Sequence, residues 1–243
     1  MATRKVPSKS KARARRGPLD RRRIAEGALR LIDAGGLEQL SMRGLGAKLG
    51  VEGMAIYHHF RNKAEVLDGV LELLLEEMEP PPPKSGSPLE RLRRTFASVR
   101  RVAIRHPHAF LLIPTRRFNT DRALAYYERL LGVFRDAGFD AALSARYFRL
   151  LAGYTTGVGL AEIGSRALQP DATPSRLEAF TEVERFPLVS QVAPELRVAN
   201  LDAIFKFGMD LIFDAMQVHR ASPKSRSART PTAVPRSVKK SKY

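Results

Sequence analysis

The stretch from Ser41 to Lys63, SMRGLGAKLGVEGMAIYHHFRNK, constrains the chain more than any other. Ser41 can cap a helix, because its hydroxyl accepts from the free amides of the first turn. Met42, Leu45 and Leu49 follow at helical spacing and give that helix one apolar side. Gly50 ends it, since glycine enters the left-handed conformation that turns a chain sharply. Val51 is expected as a buried plug in the turn, followed by a second short helix with Ile56 and Phe60 facing inward. Met54, Ala55, Tyr57 and His58 are left on faces able to meet a ligand. Two helices joined by a short glycine-containing turn make a helix-turn-helix unit, whose second helix reads base edges in the major groove.

The flanks complete a small domain. Ile24, Gly27, Ala28 and Leu31 mark a helix over 19–34, with Arg21, Arg22 and Arg23 near its start and placed to reach a phosphate. Gly35-Gly36 stops it, and Leu37 and Leu40 close a three-helix core. A further helix is expected over 64–79, with Val66, Leu67, Val70, Leu71 and Leu74 in one apolar stripe. Pro80 to Pro83, followed by Lys-Ser-Gly-Ser, reads as a stiff extended connector. Helical periodicity then dominates: 88–106, a short apolar segment at 108–114, 120–138, the long 140–165 and a last helix over 195–219. A less regular stretch broken by Pro170, Pro174 and Pro187 precedes that last helix. No strand signal or repeat emerges, so the expected fold is all-α. Five parts are expected: a disordered basic arm (1–18), the helix-turn-helix domain with its connecting helix (19–79), a linker (80–87), a larger helical domain (88–219) and a disordered basic tail (220–243).

Charge and composition narrow the function. The formal charge of +17 is concentrated at the ends: residues 1–18 hold seven Lys/Arg and residues 217–243 hold eight, with no acid in either. Such tails attract phosphate non-specifically and lose hold as salt rises. A non-specific, nucleoid-associated DNA-binding protein is therefore the rival reading. Cysteine is absent, which excludes disulfides and thiolate metal sites and suits a reducing cytoplasm. No run approaches the ~20 apolar residues of a membrane span, and no apolar run follows the basic N-terminus as in a secretory signal. No phosphate loop, nucleophile elbow or paired helix histidines appear, so neither catalytic residues nor a cofactor are expected. The histidines fit no tetrahedral zinc spacing.

LGAKLGVEGMAIYHHFRNKAEVLD resembles the DNA-binding signature of the TetR family of bacterial repressors, in its L-G-V turn, its I-Y-x-H-F run and N-K-x-x-x-L-D. RFPLVSQVAPEL and FKFGMDLIFDAM resemble the closing segments of the tetracycline-repressor type of C-terminal domain. The resemblance covers residues 19 to 216. It implies a repressor that binds a palindromic operator on double-stranded DNA as a homodimer and is released by a small-molecule inducer. Gly46 departs from the alanine usual in the family and weakens its helix by roughly 1 kcal/mol. The base-reading positions of the tetracycline repressors correspond to Gly53, Met54 and Ala55, which carry no polar side-chain atoms. Methyl contacts to thymine and DNA shape are expected to replace polar readout there.

The resemblance gives Ser41 and Arg43 a phosphate at the helix start, although Ser41 can be a plain cap. It gives Tyr57 a phosphate or base edge, against an alternative place in the small core. Lys63 is assigned to the DNA backbone and His58 to a base or phosphate, whereas His59 packs inside. It also implies a four-helix bundle between subunits, formed by 140–165 and 195–219. Gly153, Gly157 and Gly164 would allow close approach there, unless they pack within one subunit. For the inducer, the polar-tipped candidates are His106, Thr115, Tyr127, Tyr154, Thr155 and Glu162; each could equally be an ordinary core or surface residue. Tetracycline-responsive relatives hold a metal–drug complex with a histidine and a glutamate. Here the histidine position is Leu112 and only Glu162 matches, so no such metal site is expected.

Overall fold

The computed structural model describes residues 18–166, 184–197 and 200–221. The expected basic arm and tail, and most of the irregular stretch, lie outside these residues. All regular structure among them is helical, as the periodicity indicates.

Helix α1 (Arg21–Gly35) starts at Asp20, whose carboxylate accepts from the Arg23 amide at 2.7 Å, and buries Ile24, Ala28 and Ile32. Helix α2 (Met42–Leu49) is capped by Ser41 and ends at Gly50, whose φ of 71° and ψ of 35° are left-handed. A β-carbon at Gly50 would be strained there. Helix α3 (Gly53–Tyr57) is shorter than expected: Ile56 is buried inside it, but Phe60 reaches the core from beyond its end. Val51 is half-buried rather than a fully buried plug. Helix α4 (Lys63–Glu77) starts at Asn62 and buries Val66, Val70, Leu71, Leu73, Leu74 and Leu75, too many for one face. It packs on α1 on one side and on the following helices on the other, so both halves of the molecule share it.

The proline segment is more folded than a bare connector. Pro83–Ser85 make a 3₁₀ turn, with Ser85 Oγ donating to the Pro82 carbonyl at 2.6 Å. Proline is tolerated at a helix start, where its missing N–H would have no partner. The Pro81 carbonyl accepts from Arg91 Nε at 2.8 Å, which ties the segment to α5 (Pro88–Arg105). Helix α5 begins with a reciprocal capping box between Ser87 and Glu90. Its apolar side, Leu92, Phe96, Val99, Val102 and Ala103, forms the middle of the larger domain. After a 3₁₀ turn at Ala109–Leu111 come α6 (Leu112–Thr115), α7 (Asp121–Asp136), α8 (Ala141–Arg166), α9 (Pro187–Val192) and α10 (Leu201–Ala221). The last helix begins later than its periodicity suggested. Ahead of it, Asn200 Nδ2 donates to the carbonyls of Pro194 and Glu195 at 2.9 and 3.1 Å.

Helix α8 packs along α5, and α10 lies on both. Their junction is polar: Arg100 of α5 donates to both oxygens of Glu162 of α8, at 2.5 and 2.9 Å, and reaches Asp202 of α10 at 2.6 Å.

Candidate DNA-reading face and ligand cavity

The outer side of α2 and α3 carries the residues expected to meet DNA. Ser41 Oγ accepts from the Gly44 amide at 3.0 Å, so it is a working N-cap that stays exposed. Arg43, Tyr57 and His58 are exposed, and Met54 is 69% exposed, unusual for so apolar a side chain. Gly53 and Ala55 lie beside it, half-buried. Tyr57 therefore belongs to the surface, not to the small core. His59 is only half-buried, and its carbonyl accepts from Arg21. Arg21 also lies over the Phe60 ring at 4.0 Å, and Arg22 bonds Glu76 at 2.8 Å. Both arginines thus hold the domain together rather than standing free at a helix start. Lys63 is exposed, with Nζ donating to the Leu37 carbonyl at 3.2 Å. Helices α2 and α3 touch through backbone: a β-carbon added at Gly46 would lie 3.0 Å from Gly53 Cα and from the Val51 carbonyl oxygen. Glycine there sets a closer crossing than alanine allows.

A cavity of about 480 Å³ opens between α4, α5, α7 and α8, within the size range of small-molecule sites. Leu75 and Met78 of α4 and Phe96 and Val99 of α5 form its inner wall; Ile113, Pro114 and Phe118 contribute from α6 and the loop after it. Tyr127 stands between Phe118 and Phe148, with ring centroids 5.4 Å apart in both pairs and interplanar angles of 76° and 80°. Helix α8 supplies Phe148, Ala152, Thr156 and Leu160, four residues apart and on one stripe. Tyr126 points its hydroxyl at the Met78 carbonyl, 3.4 Å away. Burial raises the Tyr126 and Tyr127 phenols above their ordinary pKa, so both are neutral donors at physiological pH.

Of the six polar candidates named from sequence, Tyr127 alone lines this cavity. His106 sits at the end of α5 with Nδ1 2.7 Å from Asp33 of α1 and Nε2 3.1 Å from Glu77 of α4. Thr115 is exposed and donates to the Leu111 carbonyl. Tyr154 donates to the carbonyls of Ile204 and Phe205, both at 3.1 Å, and so joins α8 to α10. Thr155 is fully buried and bonded to the Leu151 carbonyl, and Glu162 is engaged by Arg100. Leu112 is buried in the core. Sequence reasoning did not assign Phe118, Phe148, Arg149 and Thr156 to a site; for Phe148 and Thr156 the four-residue spacing along α8 was the available signal.

Residues 24–70 match the family model described as bacterial regulatory proteins, tetR family, and residues 80–220 match that of the tetracyclin repressor-like C-terminal domain. The chain belongs to the TetR family. Among TetR relatives it is 27% identical over 233 residues to the HTH-type transcriptional repressor DrrR1 of Streptomyces coeruleorubidus, covering 89% of this chain and 85% of that one. It is 33% identical over 120 residues to an HTH-type transcriptional regulator of Saccharopolyspora erythraea, about half the length of each protein (49% and 51%). Its fold superposes on the Streptomyces coelicolor TetR family protein ActR in complex with actinorhodin, with a TM-score of 0.71 and 26% identity, over 85% of this chain and 99% of that one. The chain is a DNA-binding transcriptional repressor of the ligand-responsive type, and the relatives it matches are regulators, not enzymes. Among the described residues no helix is long and apolar enough to cross a membrane.

Proposed function

We propose that the chain acts in the cytoplasm as a homodimer that holds a palindromic operator and releases it when a small molecule fills the cavity beside α4. The carrying observation is the double duty of α4. Its C-terminal end, through Leu75 and the C-cap Met78, walls the cavity, while its first residue, Lys63, follows the last residue of α3, Tyr57, by six positions. A second link runs through the loop after α6. Phe118 lines the cavity; two residues earlier, Arg116 donates to Asp68 at 2.5 Å and to the Ala64 carbonyl at 3.0 Å, both on α4. A ligand that binds better when α4 has shifted must weaken DNA binding by the same factor that DNA weakens the ligand. The neighbour ActR, whose structure holds actinorhodin, supports a small-molecule effector.

Dimerisation is supported by two exposed stripes. On α10, Ile204, Phe207, Leu211 and Val218 are exposed at helical spacing; on α8, Leu150, Gly153, Gly157 and Gly164 are exposed likewise. A β-carbon added at any of those three glycines meets nothing within 4 Å, so they do not serve packing inside one subunit. Units 19–79 and 88–219 then act as reading head and assembly platform, with the basic tails adding salt-sensitive attraction to phosphate.

The test is selection of bound genomic fragments followed by footprinting. The expected result is protection of one palindrome that survives removal of both tails. Phe207→Glu is expected to give a monomer that loses the footprint. A wild-type protein that is monomeric at footprinting concentrations, or binding that vanishes with the tails, refutes the proposal.

A further inference from the structure

The cavity wall carries a sign as well as a shape. Among its lining residues Arg149 is the sole charged side chain, and no carboxylate faces it. Several arginines on the same helices and loop are committed elsewhere: Arg91 to Asp136, Arg93 to Asp210, Arg100 to Glu162, Arg116 to Asp68 and Arg129 to Glu79. Arg149 has no ion-pair partner among the described residues, although it stands at the rim of an apolar space. Two hydroxyls, those of Tyr127 and Thr156, share that wall, and neither makes a hydrogen bond among the described residues. The lining thus includes three donors along with the edge-on rings of Phe118, Tyr127 and Phe148. Arg149 is exposed at the rim, so a neutral guest gains nothing from its charge, whereas an anionic guest gains a charged hydrogen bond.

The donor set for a metal–drug complex is not assembled here. The glutamate that matches the tetracycline-responsive relatives, Glu162, has both oxygens on Arg100, and the matching histidine position is a buried leucine, Leu112. Among the described residues no group of three His, Asp or Glu side chains could hold a metal ion.

We infer that the ligand of this cavity is a flat aromatic acid, bound as a bare anion with its rings against Phe118, Tyr127 and Phe148 and its acidic group on Arg149. The inference rests on the cavity being the ligand site, and its test separates the two. Anthraquinone-2-carboxylate and anthraquinone-2-carboxamide share a ring system and differ in charge. Their dissociation constants are measured by calorimetry on the full chain in the presence of EDTA. The carboxylate is expected to bind about tenfold or more tighter than the amide, in line with a charged hydrogen bond. In Arg149→Met the preference falls to near unity with amide binding retained, and Arg149→Lys restores part of it. Equal affinities in the wild type, a preference that survives Arg149→Met, or carboxylate binding that needs added Mg²⁺ overturns the anion assignment alone. Ala152→Trp and Leu160→Trp, both on the lining stripe of α8, plug the space. Failure of both probes to bind the wild type, or binding undiminished by both plugs, overturns the cavity itself.

Discussion

Replacing His106 by leucine tests how the reading head is fastened to the rest. The imidazole joins three helices: it ends α5 and bonds Asp33 of α1 and Glu77 of α4 at 2.7 and 3.1 Å. Only the protonated ring can donate to both carboxylates at once. Its pKa is raised above the ordinary 6.5, chiefly by the hydrogen bond to Asp33 and against the opposing effect of burial. A histidine whose folded pKa lies above its unfolded one stabilises fully below 6.5, and the contribution is lost as pH rises through the raised value. Each charge-assisted bond is worth about 1.5–3 kcal/mol in general. The side chains of Asp33 and Glu77 are 27% and 31% exposed, which argues for the low end. The pair then contributes about 2–3 kcal/mol near pH 6, or about 4–12 °C of melting temperature for a chain this long. Thermal unfolding followed by circular dichroism between about pH 5.5 and 9 reads this directly. The wild type is expected to lose its advantage over His106→Leu as pH rises, and Asp33→Asn is expected to flatten the same slope. A His106→Leu protein that melts with the wild type at pH 6, or a wild-type advantage that grows with pH, refutes the reasoning.

Arg100→Met removes the bidentate partner of the nearly inaccessible Glu162 carboxylate and is expected to cost about 3 kcal/mol, the low end for breaking a buried pair. Adding Glu162→Leu should recover most of it, and additive losses in the double variant would reject the pair. Gly208→Ala places a β-carbon 2.2 Å from the Tyr154 hydroxyl and must push it off the Ile204 and Phe205 carbonyls. A loss of about 1–2 kcal/mol in chemical unfolding is expected, and an unchanged midpoint would contradict the packing of α10 on α8. Lys63→Ala should weaken operator binding evenly across sequences and lower the salt slope by about one. It should also cost a little stability, because Nζ holds the Leu37 carbonyl; an unchanged slope removes Lys63 from the DNA contacts.

Features fixed by near neighbours were legible in the sequence. The Ser41 cap and the Gly50 turn depend on residues within one helical turn, and both stand where the spacing placed them. What sequence could not supply were partners far along the chain. Glu162 and Tyr154 looked like polar groups awaiting a ligand, but Arg100 lies 62 residues from the first, and the carbonyls bonded by the second lie 50 and 51 residues on. His106 is similar, being claimed by Asp33, 73 residues earlier. Phe118 enters the cavity from a loop, where no periodicity announces it. The proline segment folds locally instead, through the Ser85 bond to the Pro82 carbonyl, and Arg91 ties it to α5.

Gly153 and Gly157 each belong to two surfaces at once. They line the cavity, yet a β-carbon on either would project into open space, on the outer stripe of α8. With no side chains to thicken it, the partition between interior and exterior is a bare backbone. In a dimer the second copy would lie directly over this thin place and become the roof of the chamber. Effector affinity should then rise and fall with subunit association, so that dilution alone would blunt the response to the small molecule.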